Sequence, residues 1–224
     1  GAEGPLDNLS VDVEFYYRTM RDLFEFDRLR QDYSGFDYSE VFLFGRGEAY
    51  GAEVTLRKPD GPINGFIGYS LSRTEREFDV LSEDPFPPKY DRTHDLTAVL
   101  NYDLADNWRL TTVFTYATGQ AYTEPKGYYR LEGSPWSSAD QTAFQSDYNG
   151  ARLPAYHRLD IGVRKKGDFF GIADYEARVQ LVNAYSRRNI WFVLFEPNDE
   201  GRLNRDIVPQ IPVPIPNLSL TLSF

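Results

Sequence analysis

The closing stretch Pro216-Asn217-Leu218-Ser219-Leu220-Thr221-Leu222-Ser223-Phe224 sets Leu218, Leu220, Leu222 and Phe224 on alternate positions, with small polar residues between them. Chain termini usually fray and are polar. Large apolar groups aimed one way at the last residues therefore imply a strand held against an apolar medium or a core.

Seven earlier segments repeat this period of two. Leu9, Val11, Val13, Phe15 and Tyr17 alternate with polar residues such as Asp12, Glu14 and Arg18. Ala52, Val54 and Leu56 alternate with Glu53, Thr55 and Arg57, and Ile63, Ile67, Tyr69 and Leu71 form a third set. Leu96, Ala98 and Leu100 alternate with Asp95, Thr97, Val99 and Asn101, and Trp108, Leu110, Phe114 and Tyr116 with Arg109, Thr111, Val113 and Thr115. Leu159, Ile161 and Val163 alternate with Asp160, Gly162 and Arg164, while Tyr175, Ala177 and Val179 alternate with Glu176, Arg178 and Gln180. No stretch holds an apolar stripe at helical spacing for long, so the pattern predicts an all-β chain of about eight strands.

Composition narrows the class. In 224 residues, 16% are aromatic and 16 are Tyr, and the net charge of -10 argues against nucleic acid as a partner. Cysteine is absent, which removes disulfides and thiolate sites. No apolar run is long enough for a membrane helix, but an antiparallel transmembrane β-barrel needs apolar residues only at alternate positions.

The connections alternate in length. Short turns are expected at Pro59-Asp60-Gly61-Pro62, Asp103-Leu104-Ala105-Asp106 and Lys166-Gly167-Asp168, and long loops at 23-46, 77-89, 119-153 and 187-215. Sorting of this kind is the habit of membrane barrels, with short periplasmic turns and long extracellular loops. Rings such as Tyr17, Tyr50, Tyr69, Tyr102, Trp108 and Tyr185 fall near strand ends, where a barrel carries its aromatic girdles. These features predict a membrane barrel segment over 1-224, its polar face formed by Asp12, Glu14, Arg18, Glu53, Arg57, Asp95, Arg109, Asp160, Arg164, Glu176 and Arg178. A water-soluble all-β binding module is the competing reading.

Longer fragments carry a resemblance. Asn8-Leu9-Ser10-Val11-Asp12-Val13 followed by Phe15-Tyr16-Tyr17-Arg18, Glu48 to Val54, Phe86 to His94, Leu153 to Val163, Val179 to Ile190 and the closing strand occur in an order that resembles the carboxy-terminal barrel of a TonB-dependent outer-membrane receptor. Ala184 and Tyr185 stand where that family usually has Leu or Phe. The resemblance implies the distal part of a barrel of about 22 strands without its plug, located in the bacterial outer membrane. It also implies outer-membrane lipid, the barrel-assembly machinery, a missing amino-terminal barrel and plug, and a TonB-type coupling protein as partners. The function implied is that of wall and loops in energy-coupled uptake of a scarce solute such as a metal chelate or glycan. Eight strands would also suit an autonomous small barrel with a structural or binding role. Leu218, Leu220, Leu222 and Phe224 resemble the terminal assembly signal of such barrels.

Candidate ligand contacts lie in the third long loop. Tyr122, Tyr128, Tyr129, Trp136 and Tyr148 could stack on a ring, with Arg130 and Arg152 supplying charge, or the same side chains could pack the loop. Glu196-Pro197-Asn198-Asp199-Glu200 and Asp206 offer oxygens for a loop calcium ion but lack EF-hand spacing. His94 and His157 read as structural hydrogen-bonding groups, and no nucleophile elbow supports an enzyme. Gly45-Arg46-Gly47 leads into a strand, so turn flexibility explains its glycines better than a nucleotide loop. The prolines of Val208 to Pro216 predict an extended descent into the last strand rather than a central paired one.

Overall fold

A computed structural model describes residues 8-26, 42-130, 141-145, 147-198 and 203-224. The strands in chain order are β1 (Ser10–Phe26), β2 (Phe42–Lys58), β3 (Ile63–Glu77), β4 (His94–Ala105), β5 (Trp108–Ala117), β6 (Ala121–Tyr122) and β7 (Pro125–Arg130). They continue with β8 (Gln141–Gln145), β9 (Ala151–Arg152), β10 (Tyr156–Phe169), β11 (Ala173–Val182), β12 (Asn189–Pro197), β13 (Leu203–Gln210) and β14 (Ile215–Ser223).

Eight of these form one antiparallel sheet in the spatial order β1, β2, β3, β4, β5, β10, β11, β14. Three small ribbons, β6 with β9, β7 with β8 and β12 with β13, belong to the connections at one end of it. The sheet is open. β1 and β14 are its two edges among the described residues and do not pair with each other, which overturns the expected closed transmembrane barrel. The signals behind that expectation do not depend on closure. Any up-and-down meander sorts its connections to two ends, and a period of two orients side chains identically in an open sheet.

Directly opposed residues share a face, so side chains sort in rows, although the polar face also carries an apolar row of Phe66, Val99 and Val113. One apolar row runs Val11, Leu56, Ile67, Ala98, Phe114, Leu159. On the other face a polar row runs Asn64, Asn101, Thr111, Gly162, Gln180, Asn217. Tyrosines expected as membrane girdles instead meet rings on neighbouring strands. Tyr17 stacks on Tyr50 at 6.4 Å and Tyr69 on His94 at 6.1 Å.

Strand ends differ from expectation. β1 and β2 run on to Phe26 and back to Phe42, and β1 carries a bulge between Met20 and Leu23 with Asp22 at φ 54°. Lys166, Gly167 and Asp168 pair with Glu176, Tyr175 and Asp174, so the turn falls at 170-172, where Phe170 and Gly171 take positive φ. The prolines avoid the central strands, as expected, but part of the expected extended descent is paired. Pro209 lies inside the paired ribbon strand β13, while Pro216 sits in β14, an edge where a missing donor is tolerated.

The buried core lies at the end of the sheet that carries the long connections. Phe78 and Phe86 are 2% and 3% exposed, their rings 6.0 Å apart, and Tyr148 closes on Phe86 edge-on at 4.6 Å. Gly45 is required there because a Cβ would lie 2.3 Å from the Glu77 carbonyl oxygen and 2.7 Å from the Phe78 ring, so close packing, not turn flexibility, explains this glycine. Gly119 is equally constrained, with the Leu153 carbonyl oxygen 1.5 Å from where a Cβ would stand.

Buried polar groups tie the connections to the sheet. The Asp91 carboxylate, 3% exposed, accepts the Thr74 backbone N–H at 2.9 Å and pairs with the Arg152 guanidinium, which also donates to the Gly119 carbonyl at 3.2 Å. Asn183, at φ 57°, donates to the carbonyls of Arg187 and Ile211 at 3.0 and 2.8 Å and accepts from the Arg187 N–H at 2.9 Å. Its own N–H donates to buried Asp160 at 2.9 Å. Asp91→Ala should lower the unfolding free energy by about 3 kcal/mol, because it removes the carboxylate that a half-buried guanidinium and a backbone donor share. Urea unfolding checks this, and a midpoint equal to the wild type's would refute it.

Candidate functional site

The polar face concentrates charge where β5, β10 and β11 meet. Direct register places Arg109, Arg164 and Arg178 in a single cross-strand row, with Asp103 of β4 next to Arg109. Like charges directly opposite one another destabilise a sheet. The cost is relieved at both flanks of the row. Arg109 makes a two-pronged pair with Asp103, at 2.5 and 2.9 Å, and Arg178 donates from Nε to Glu176 at 2.5 Å. Lys166 lies 3.5 Å from the other Glu176 oxygen.

The middle arginine has no such relief. Among the described residues the nearest carboxylate oxygen to Arg164, on Glu176, is 3.9 Å away, beyond hydrogen-bond distance, and its buried Nε has no acceptor. The three guanidiniums border a cavity of about 270 Å³ that Asn101, Thr111 and Gln180 also line. Asp160 is the one carboxylate in that lining, and it is already held by Arg158 at 2.9 Å and by the Asn183 N–H. Thr111 donates to Asn101, whose amide donates to Asn64, so the neutral wall is fixed by its own hydrogen bonds.

The ion pairs set the titration of this face. The hydrogen bond from Arg178 holds the Glu176 carboxyl below the usual range against the opposing effect of desolvation, and Arg109 does the same for Asp103. On the sheet's apolar side, burial followed by the nearby Arg187 charge lowers the pKa of His157, whose Nδ1 lies 2.7 Å from the Tyr185 hydroxyl. His94 meets the Tyr69 hydroxyl at 2.8 Å in the same manner.

Of the side chains expected to meet a ligand, Tyr122, Tyr148 and Arg152 are engaged within the fold. Tyr122 stacks on Phe195 at 6.4 Å, donates to Glu124 at 3.1 Å and accepts from Arg205 at 3.4 Å. Tyr148 packs in the core against Phe86, and Arg152 is bound to Asp91. Tyr128, Tyr129 and Arg130 belong to β7, and Trp136 lies outside the described residues. Of the calcium candidates, Glu196 and Asp206 stand opposite Asn204 and Leu194 in the β12 and β13 ribbon, while Asp199 and Glu200 lie outside the described residues. Among the described residues no three metal-ligating side chains converge.

Sequence reading placed Arg109, Arg164 and Arg178 on the polar face but did not single them out. The available signal was their offset: Arg164 and Arg178 lie equally far from the Phe170 to Ile172 turn, so a hairpin must set them opposite each other.

No family model matches the chain, and no curated protein matches it. The resemblance to TonB-dependent receptors is therefore not supported, and the described strands form no closed barrel that would support it. The receptor and uptake function, the outer-membrane location and the expected lipid, assembly-machinery, plug and TonB partners fall with it. Leu218, Leu220 and Leu222 are the exposed apolar row of edge strand β14, opposite Val179, Ala177 and Tyr175.

The lowered carboxyls predict a direction with pH. A group whose pKa is depressed on folding stabilises the fold fully above its unfolded value and loses that contribution as pH falls through its folded value. Carbon-detected NMR titration should find Glu176 and Asp103 ionised below the ordinary carboxylate range, and Arg178→Gln should raise the Glu176 value. A Glu176 that titrates at the ordinary position in the wild type would contradict the described pairing.

Proposed function

We propose that this chain is a non-enzymatic β-sheet binding module that takes a small oxyanion, a carboxylate or phosphate compound, on its polar face between Arg109, Arg164 and Arg178. One observation carries the reading: three arginines occupy one cross-strand row, and the buried Nε of the middle one has no acceptor among the described residues. Guanidinium is a planar fork of donors that cannot deprotonate, and it matches carboxylate and phosphate oxygens two at a time. An anion seated over Arg164 would satisfy its donors and screen the repulsion along the row. The cavity's volume of about 270 Å³ suits a phosphate or a small polycarboxylate, and the Gln180 amide offers a neutral donor beside it.

The supporting chemistry is binding chemistry. Asp160 in the lining and the neighbouring Asp103 and Glu176 are each already committed to an arginine, and the row supplies cations rather than a base beside a nucleophile. Isothermal titration of the protein with inorganic phosphate and with citrate tests the reading. Wild type should bind at least one of them saturably. Arg164→Gln should weaken that binding about tenfold or more, the scale of a lost charge-assisted hydrogen bond. Arg46→Gln, an exposed arginine at the far end of β2, should leave it unchanged. Absence of binding to the wild type, or equal binding by Arg164→Gln, would overturn the proposal.

A further inference from the structure

Among the described residues β1 is paired on one side only, and the side chains around its other edge repeat their pattern when the strand is reversed. Its regular stretch runs from Ser10 to Met20, where the bulge begins, and is centred on Phe15. A two-fold axis through Phe15 would set a second β1 antiparallel to the first, with Asp12 opposite Arg18 at both ends. Phe15 would meet Phe15, and Val13 would meet Tyr17. Parity is preserved throughout, so the polar residues Asp12, Glu14, Tyr16 and Arg18 share one face and Val11, Val13, Phe15 and Tyr17 share the other.

The exposed state of these groups fits a missing neighbour. Phe15 is 78% exposed, Tyr17 66% and Val13 56%, and Asp12, Glu14 and Arg18 are exposed without an ion pair among the described residues. Charges on edge strands often serve to prevent strand addition. Here the acids sit at one end of the stretch and the base at the other, so antiparallel self-pairing is attractive, whereas the neutral Ser219, Thr221 and Ser223 of the opposite edge offer no such match. Each Arg18 would also lie diagonal to Glu14 of the other copy, within cross-strand reach.

We infer that two copies of this chain associate through β1, joining their sheets edge to edge about a two-fold axis at Phe15. This inference is independent of the anion site. Sedimentation of the full chain should show a concentration-dependent dimer of twice the 25.8 kDa chain mass. Charge reversal by Arg18→Asp or Asp12→Arg alone should raise the dissociation constant about tenfold, and the double reversal should restore it. The chain has no cysteine, so Phe15→Cys introduces a single thiol whose partner Cα would stand about 4.5 to 5.5 Å away, within disulfide reach. Mild oxidation should cross-link it, whereas Ile63→Cys, exposed but on an inner strand, should remain uncross-linked. A monomeric wild type, an open ladder larger than a dimer, single reversals that leave the dimer intact, or equal cross-linking of the two thiols would each overturn the inference.

Discussion

A single layer of backbone hydrogen bonds carries this molecule. From β1 to β14 each inner strand is paired on both sides, and among the described residues no second sheet or helix covers either face. Most protein domains bury a sheet against another layer. Here the large apolar residues of the sheet, such as Phe15, Ile67, Leu100 and Val179, remain substantially exposed, and the buried groups apart from Ala173 collect toward one end. The sheet's order therefore rests on strand register and cross-strand neighbours rather than on a central core.

That constraint explains why buried polar residues matter at the end with the long connections. Asp91 links β3 to the segment that carries Arg152, and Asn183 links the end of β11 to the approach of β14. Asp160 joins this fastening to the arginine row, since it is held by Asn183 on one side and lines the cavity on the other. Electrostatics and fold are thus coupled through one carboxylate. Its burial, at 5% exposure, is balanced by Arg158 and a backbone donor, as a buried charge requires.

The strand interiors and their two faces were legible because a period of two leaves a direct trace. Glu53, Asp95, Asp160 and Arg164 all lie on the polar face that alternation assigned to them. Closure was not legible, since neither alternation nor the sorting of short and long connections distinguishes an open meander from a ring of strands. Strand ends were missed where pairing overrode local turn signals: Lys166-Gly167-Asp168 reads as a turn but is held by its register with Asp174 to Glu176. The arginine row needed register between strands far apart in sequence, and no local motif marks it. For Tyr148 and Arg152 the choice between ligand contact and loop packing stayed open in the sequence, because aromatic and cationic loop residues have the same composition whether they face solvent or close a core.

The spatial order of the sheet also has a consequence for how it forms. β1 to β5 are consecutive neighbours, and β10 and β11 form a hairpin closed by a three-residue turn, but β5 meets β10 only across the segment 118-155. Closing a loop of about forty residues instead of about four costs about 2 kcal/mol more in chain entropy. Two meanders can therefore take shape independently, and the seam between β5 and β10 is the step that joins them. The arginine row spans that seam, with Arg109 on one side and Arg164 on the other. The cationic cavity thus comes into existence only when the two halves of the chain have met, which makes its assembly a report on the completion of the fold.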